Sequence, residues 1–412
     1  MTETSPPHPS ALRLDPLVRD LDGETEHLRA RGPFVRIDLM GVPAWTVTRH
    51  EQARQLLTDP RLVKDIDAWR LWRSGAVTWE WPLIGMVDTR TSLLGKDGPE
   101  HRRLRARMTQ ALTPRQLTEV RPVIQELIDG CLERTAGEAG PDGRVNLKET
   151  FAQPLPMGVV CALLGVDPGA IPHQLRLWRT FFSTQTSPDE RRAVIGELEE
   201  IFTALVRERA ARPAADLTSA LLLPDGAGEP LTQEEATGNL QVLVAAGHES
   251  TVALLLSAVR ALLTHPDQLR QVLDGRVPWE AVVEETLRWD PPTSHVLMRF
   301  ATEDIDIDGF VIEEGEALAV SYRAIGRDRD RHGPGADSFD ITRPAPARHL
   351  SFGHGPHLCP GAGLSRLEAA MALPALFERF PELALAVPAE EIGHLPVITQ
   401  NDLASFPVLL YG

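Results

Sequence analysis

One thiol, Cys359, sits in a run that leaves the chain little conformational choice: Phe352-Gly353-His354-Gly355-Pro356-His357-Leu358-Cys359-Pro360-Gly361. This glycine-rich turn delivers the thiol to the start of an apolar helical stretch, Ala362–Phe377. Pro360 suits the first helical position, where its missing N–H would have no partner anyway. The unpaired N–H groups and the positive end of the helix dipole favour the thiolate form of Cys359. Gly353, Gly355 and Gly361 permit tight turns and close approach to something flat and bulky. A thiolate held this way is suited to be an axial ligand of haem iron. The bland alternative is a buried structural cysteine. A zinc reading also stays open, because His349, His354, His357 and Cys359 fall within eleven residues, although zinc loops usually bring two separated ligand pairs.

Three further segments carry chemistry. Ala246-Gly247-His248-Glu249-Ser250-Thr251 places a carboxylate and two hydroxyls in the middle of a long helical pattern. Glu285-Thr286-Leu287-Arg288 sets a carboxylate and a guanidinium at i and i+3, followed later by Phe339-Asp340-Ile341-Thr342-Arg343. Glu100-His101-Arg102-Arg103-Leu104-Arg105 puts His101 and Arg105 on one helix face, where they can meet carboxylates entering a partly buried site. Together, and in this order, the four segments resemble the cytochrome P-450 superfamily. Phe352, Gly353, Gly355, His357, Cys359 and Gly361 match its haem-binding signature. The stretch around Trp79–Arg105 is most similar to soluble actinobacterial members acting on steroids, macrolactones and other polycyclic natural products.

The resemblance implies a mainly α fold with small β regions: a single domain over 1–412, a helix-rich prism holding haem b between the long central helix and the cysteine-loop helix. It implies Cys359 as the iron ligand, His101, Arg105, Arg299 and His357 as propionate contacts, and Phe352, Gly353 and Gly361 around the haem. Glu285, Arg288 and Arg343 would form a buried triad holding the cysteine loop. Glu249, Ser250 and Thr251 are the candidates for proton delivery. Cleaving an O–O bond takes two protons, and a hydroxyl and a carboxylate in a kinked helix can hold water and relay them. The family usually has threonine where this chain has Ser250. Serine keeps the hydroxyl but its rotamer is less restricted, which puts coupling efficiency in question and leaves room for a substrate hydroxyl to assist. Thr251 lies about 100° further round the helix and reads equally as a core threonine. Met86, Val87, Phe181, Phe182, Val242, Leu243, Ala246, Val296, Leu297, Ile398 and Thr399 would line the substrate pocket; each, taken alone, reads as core.

Composition narrows the partners. The net charge of −16 argues against nucleic acid or an anionic membrane. Against that acidic background, Arg102, Arg103 and Arg107 read either as a solvated face or as a dock for an acidic ferredoxin. Three cysteines (Cys131, Cys161 and Cys359) give no disulfide framework and fit a reducing cytoplasm. The polar, proline-rich start lacks a signal pattern, and no uninterrupted run of about 20 apolar residues is seen.

Along the chain, residues 1–16 read as a flexible or loosely docked arm. Phe34–Val47 reads as a hairpin around Gly41-Val42-Pro43, and Glu51–Leu57 as a short helix. Asp65–Thr91 is irregular and holds four of the eight tryptophans, which are either packing anchors or a substrate-facing lid. Leu231–Leu263 is the longest helical pattern, starting after Thr232 and stopped at His265-Pro266, with Gly247 suggesting a kink. Asp308-Gly309 signals a hairpin within Ile305–Tyr322. Arg323–Pro346 is turn-rich, and a helix over Ala362–Phe380 is followed by loops and short strands.

The sum is a monomeric haem-thiolate monooxygenase acting on O2 and a small hydrophobic substrate. No strand-borne Gly-x-Gly-x-x-Gly is present, so electrons from NAD(P)H would arrive through a reductase and a ferredoxin. Two rivals remain: the same site coupling rings or carbons without oxygen insertion, and a non-catalytic haem- or zinc-binding regulatory protein.

Overall fold

Strand alternation at Phe34–Val47 folds as two antiparallel strands, Phe34–Leu39 and Val42–Val47. The turn is Met40-Gly41, both at positive φ, so Val42 and Pro43 belong to the strand rather than to the turn. The computed structural model describes residues 11–89, 91–110, 112–223, 229–343 and 349–412. Residues 1–10 of the expected arm, Arg90 and residues 344–346 of the turn-rich stretch lie outside them. The rest of the arm is docked: Leu12–Arg13 pairs in parallel with the hairpin, and Leu14 is fully buried.

The hairpin belongs to a six-stranded sheet that runs through Ala317–Ser321 and His295–Ala301 to the edge strand Leu62–Val63. Register shifts between Val296 and Arg299, a bulge that re-aims the side chains after it. Ile305–Ile307 and Phe310–Ile312 form the expected hairpin, with Asp308 and Gly309 both at positive φ. A three-stranded sheet near the C-terminus joins Arg144–Asn146, Pro407–Leu409 and Ala384–Leu385.

Helices make up most of the remainder. The central helix, Gln233–Thr264, starts with a capping box in which Thr232 and Glu235 satisfy each other's backbone N–H groups. Pro266 opens the next helix. The central helix is by length and mean composition apolar enough to cross a membrane, though charged residues interrupt it, and most of that stretch is buried inside the fold. It packs chiefly with helices Pro154–Leu164 and Pro188–Ala211, and also with Trp279–Trp289 and the cysteine helix, Ala362–Arg379.

Two glycines explain close packing against the central helix. The helix continues through Gly247, where a Cβ would stand 3.1 Å from the Val160 side chain, so close packing gives this glycine a reason independent of any kink. At Gly238 a Cβ would stand 2.4 Å from the Thr91 hydroxyl and 2.9 Å from its carbonyl oxygen. Asn239 accepts the Leu93 N–H at 3.1 Å. Both seat residues 91–93 on the helix.

Candidate active site

The cysteine loop is built by its own backbone. Cys359 N–H donates to Phe352 O at 2.8 Å, and Gly353 and Gly355 take positive φ. A Cβ at Gly355 would meet Thr58 at 2.8 Å. The cysteine helix begins at Ala362 with Gly361 as its cap, so Pro360 stands before the helix instead of at its first position. The N–H groups of Gly361 and Ala362 point at the sulfur, as the helix-end argument expected. Burial nonetheless outweighs them, and outweighs Arg105 and Arg366, leaving the thiol above its ordinary pKa. A bound metal cation would oppose the effect of burial and favour the thiolate.

Above Cys359 lies a cavity of about 1190 Å³, larger than a single drug-sized ligand needs. Phe352, Gly353, His357, Cys359 and Gly361 form one wall with Arg105 and Arg299. Ser250 and Thr251 from the central helix form the opposite wall. Met86, Phe181, Phe182, Val242, Leu243, Ala246, Val296, Leu297 and Thr399 complete it. Val87 and Ile398 do not reach it: both are buried in the core between sheet and lid segment, with at most 6% exposure, and are corrected to packing residues.

The tryptophans divide. Trp69 stacks on Phe300 and Trp81 donates to Leu39 O, which makes both anchors. Trp72 and the half-exposed Trp79 meet edge to face at 5.7 Å and line the cavity, as a lid would.

A cluster of nitrogen groups gathers at one end. The rings of His101 and His357 lie 4.2 Å apart. His357 Nε2 meets Asp97 Oδ1 at 3.1 Å. His101 Nε2 and His357 Nδ1 are buried without a hydrogen-bond partner. Burial holds both imidazoles below their usual pKa, His357 at about 4. Arg105 donates to Leu358 O, and Arg299 to Leu62 O at 3.4 Å. Asp97, Lys64 and Tyr322 also belong here. Sequence reasoning missed them because they carry no motif and come from separate loops and strand ends.

Glu249 stands apart from the cavity. One residue before Ser250, it is turned about 100° away and buried against Lys148 and Asp402, with His248 Nδ1 at 3.4 Å. Lys148 Nζ donates to Asp402 Oδ2 at 2.7 Å. Burial raises Asp402 to about 6, while His248 and Lys148 hold Glu249 below its ordinary value. This corrects the expected placement: the carboxylate does not face the cavity. Ser250 back-bonds to Ala246 O, and Thr251 Oγ1 donates to Ser365 Oγ at 3.4 Å.

The expected triad is assembled. Arg288, fully buried, donates to both Glu285 oxygens at 2.8 and 2.6 Å, and Arg343 joins at 3.1 Å. It ties down the 326–340 segment through the carbonyls of Gly326, Ala336 and Ser338. The cysteine loop is held instead by the neighbour, Glu284, which pairs with Arg366 on the cysteine helix and with His349. These partners depress Glu284 to about 2 from 4.5 against the opposing effect of burial. A carboxylate depressed in this way adds stability above pH 4.5 and loses it as the pH falls toward 2. Glu284→Gln should therefore cost about 1–2 kcal/mol at pH 7, discounted for partial exposure, and the gap from wild type should close between pH 4.5 and 2 in acid-unfolding curves.

The basic cluster is also revised. Arg107 is buried and donates to the carbonyls of Ala220, Leu221 and Leu223, and Arg103 pairs with Glu235. Only Arg102 of the three is an exposed cation. His349 and His357 turn to separate carboxylates, and among the described residues no group of three or more His, Cys, Asp or Glu could hold a metal ion, so the zinc reading has no site.

The cytochrome P450 family model matches residues 279–388. A 2-hydroxy-5-methyl-1-naphthoate 7-hydroxylase of Streptomyces carzinostaticus is 38% identical over 402 residues, 97% of each chain. The chain belongs to the cytochrome P450 family. This P450 is also 36% identical to the cytochrome P450 monooxygenase PikC of Streptomyces venezuelae, over 99% of its own length and 95% of that protein's. Testosterone-bound CYP154C4 from Streptomyces sp. ATCC 11861 matches it with a TM-score of 0.94 and 51% identity, over 98% of each chain. It is a P450 monooxygenase, an oxidoreductase of mainly α fold, and the family implies a haem-thiolate iron cofactor. The residues present fit that group. An enclosed thiol faces the cavity, and two buried imidazole nitrogens beside Arg105 and Arg299 lack the acceptors that a pair of carboxylates would bring.

Proposed function

We propose that this P450 inserts one oxygen atom from O2 into a C–H bond of a large, mostly apolar polycyclic or macrocyclic molecule of the steroid, macrolactone or polyketide kind. Electrons would pass from NAD(P)H through a ferredoxin reductase and a ferredoxin, and the enzyme would work in the cytoplasm. The cavity carries this reading: it joins a single thiol to a wide and mostly apolar surface. The relatives named as a naphthoate hydroxylase and as binding testosterone support the same substrate class.

Haem held by Cys359 would supply O2 activation and oxygen transfer. The protein's own residues do the rest. The backbone N–H groups of Gly361 and Ala362 stabilise negative charge on Cys359 Sγ. His101, His357, Arg105 and Arg299 take up carboxylates. Met86, Phe181, Val242 and Leu297 exclude water and hold the substrate by shape. Ser250 offers its hydroxyl oxygen to water in the cavity and passes a proton on, with Thr251 and Ser365 as the adjoining hydroxyl pair. Glu249 would join the relay by turning from Lys148 and Asp402 toward the cavity. Beside the exposed Leu358 of the cysteine loop, Arg331 and His354, with Arg54 and Arg366 paired to Glu51 and Glu284, would meet an acidic ferredoxin.

The deciding experiment is the reduced, carbon-monoxide difference spectrum, followed by titration with steroids and macrolactones. A red-shifted Soret band and a low-to-high-spin shift with such ligands are expected; a haem-free protein overturns the reading. Turnover under labelled O2 separates insertion from coupling, since coupling leaves no label in the product. Ser250→Ala should raise peroxide released per NADPH consumed several-fold, and Ser250→Thr should hold it at or below the wild-type level. Equal coupling in all three forms would move the relay to Thr251 or to the substrate.

A further inference from the structure

Lys64 is a buried cation that none of the four motif segments contains. We propose that it is a further ligand, beside Arg299 and Arg105, for the carboxylates of the bound haem and so positions the cofactor; this rests on the haem-thiolate reading above. Lys64 follows the edge strand Leu62–Val63, is 7% exposed and lines the cavity with Arg299 and His357. Its ammonium donates to Leu297 O at 3.2 Å and Met298 O at 2.9 Å, the carbonyls at the bulge preceding Arg299. An ammonium has three donors, so two are used by the protein and one is left for a ligand.

Charge supports the same conclusion. The Lys64 main-chain N–H donates to Asp97 Oδ2 at 2.6 Å, and the other Asp97 oxygen meets His357. Asp97 is the carboxylate that acts on both Lys64 and Arg299. Arg105 joins them in lining the cavity, so two guanidiniums and the Lys64 amine gather around one carboxylate, an excess of positive charge that a bound anion would relieve. Haem brings two carboxylates. Capping the bulge is the simpler role for Lys64, but a neutral donor would do that without burying a charge beside Arg299. Burial, then repulsion from Arg299, push the ammonium down to about 7, and an anion in the cavity would restore its charge.

The test compares purified wild-type holoenzyme with Lys64→Met and Lys64→Gln, where glutamine keeps a neutral donor for the bulge carbonyls. Haem transfer to excess apomyoglobin should be at least about tenfold faster in both variants. The midpoint potential of substrate-free enzyme should move negative in both, because losing a nearby cation makes electron uptake harder. A Lys64→Gln enzyme with wild-type haem loss and potential overturns the assignment, as does a variant that loses affinity only for carboxylate-bearing ligands and not for their methyl esters. A wild type lacking the thiolate carbon-monoxide band would sink the haem-thiolate reading itself, a result distinguishable from failure at Lys64 alone.

Discussion

Replacing Cys359 by serine is expected to give a folded protein that has lost the red-shifted carbon-monoxide band and at least about a thousandfold in turnover, roughly 4 kcal/mol of transition-state stabilisation. The loop does not depend on the sulfur for its shape. Its turns are set by Gly353 and Gly355 and by the Cys359 N–H to Phe352 O bond, all of which survive the change. The clamp from Glu284 to Arg366 and His349 is also untouched. What disappears is the group that two backbone N–H groups, Arg105 and Arg366 are arranged to hold as an anion. A serine hydroxyl is a far weaker acid than a thiol and stays neutral there. Circular dichroism would confirm the fold, and an unchanged carbon-monoxide spectrum would remove Cys359 as the ligand.

The second large effect is expected at Glu285. Among the described residues its carboxylate is the only anion bonded to Arg288, which is completely buried, and it also holds Arg343 and the Asp340 N–H. Glu285→Ala leaves a guanidinium inside the protein with carbonyl partners but no countercharge. Removing one member of a buried pair costs about 3–5 kcal/mol, a large part of the 5–15 kcal/mol that keeps a protein folded. Urea unfolding should show a lower midpoint at unchanged slope. The loss should reach the 326–340 segment before the distal cavity, because Arg288 ties that segment through Gly326, Ala336 and Ser338. A penalty under about 1 kcal/mol would show that the carbonyls alone suffice.

Much of the fold was legible where local rules act. The capping box at Thr232, the stop at Pro266, the Asp308-Gly309 hairpin and the helix after Gly361 each follow from a few adjacent residues. The readings that shifted depend on which way a side chain turns within a correct element. Glu249 lies in the predicted helix, yet its direction is decided by Lys148 and Asp402, more than a hundred residues away on either side. Arg107 belongs to a basic helix, but the carbonyls of Ala220, Leu221 and Leu223, at the end of the helix Leu217–Leu222, draw it inside. Glu284 is one residue from Glu285 on the same helix and belongs to no motif, and only packing of the cysteine helix supplies Arg366.

The sequence by itself determined the chemistry that depends on spacing along one backbone: a thiol on a glycine turn before a helix, His101 and Arg105 one turn apart, and Glu285 and Arg288 able to pair. Tertiary structure alone decided the charge state and direction of those groups. The cavity, the seat of Thr91 on Gly238 and the meeting of Lys64, Asp97 and Arg299 all come from segments far apart in the chain. The physical reason is range. Backbone geometry and capping act over a few residues, whereas burial and Coulomb interactions depend on whichever side chains the packed core brings together.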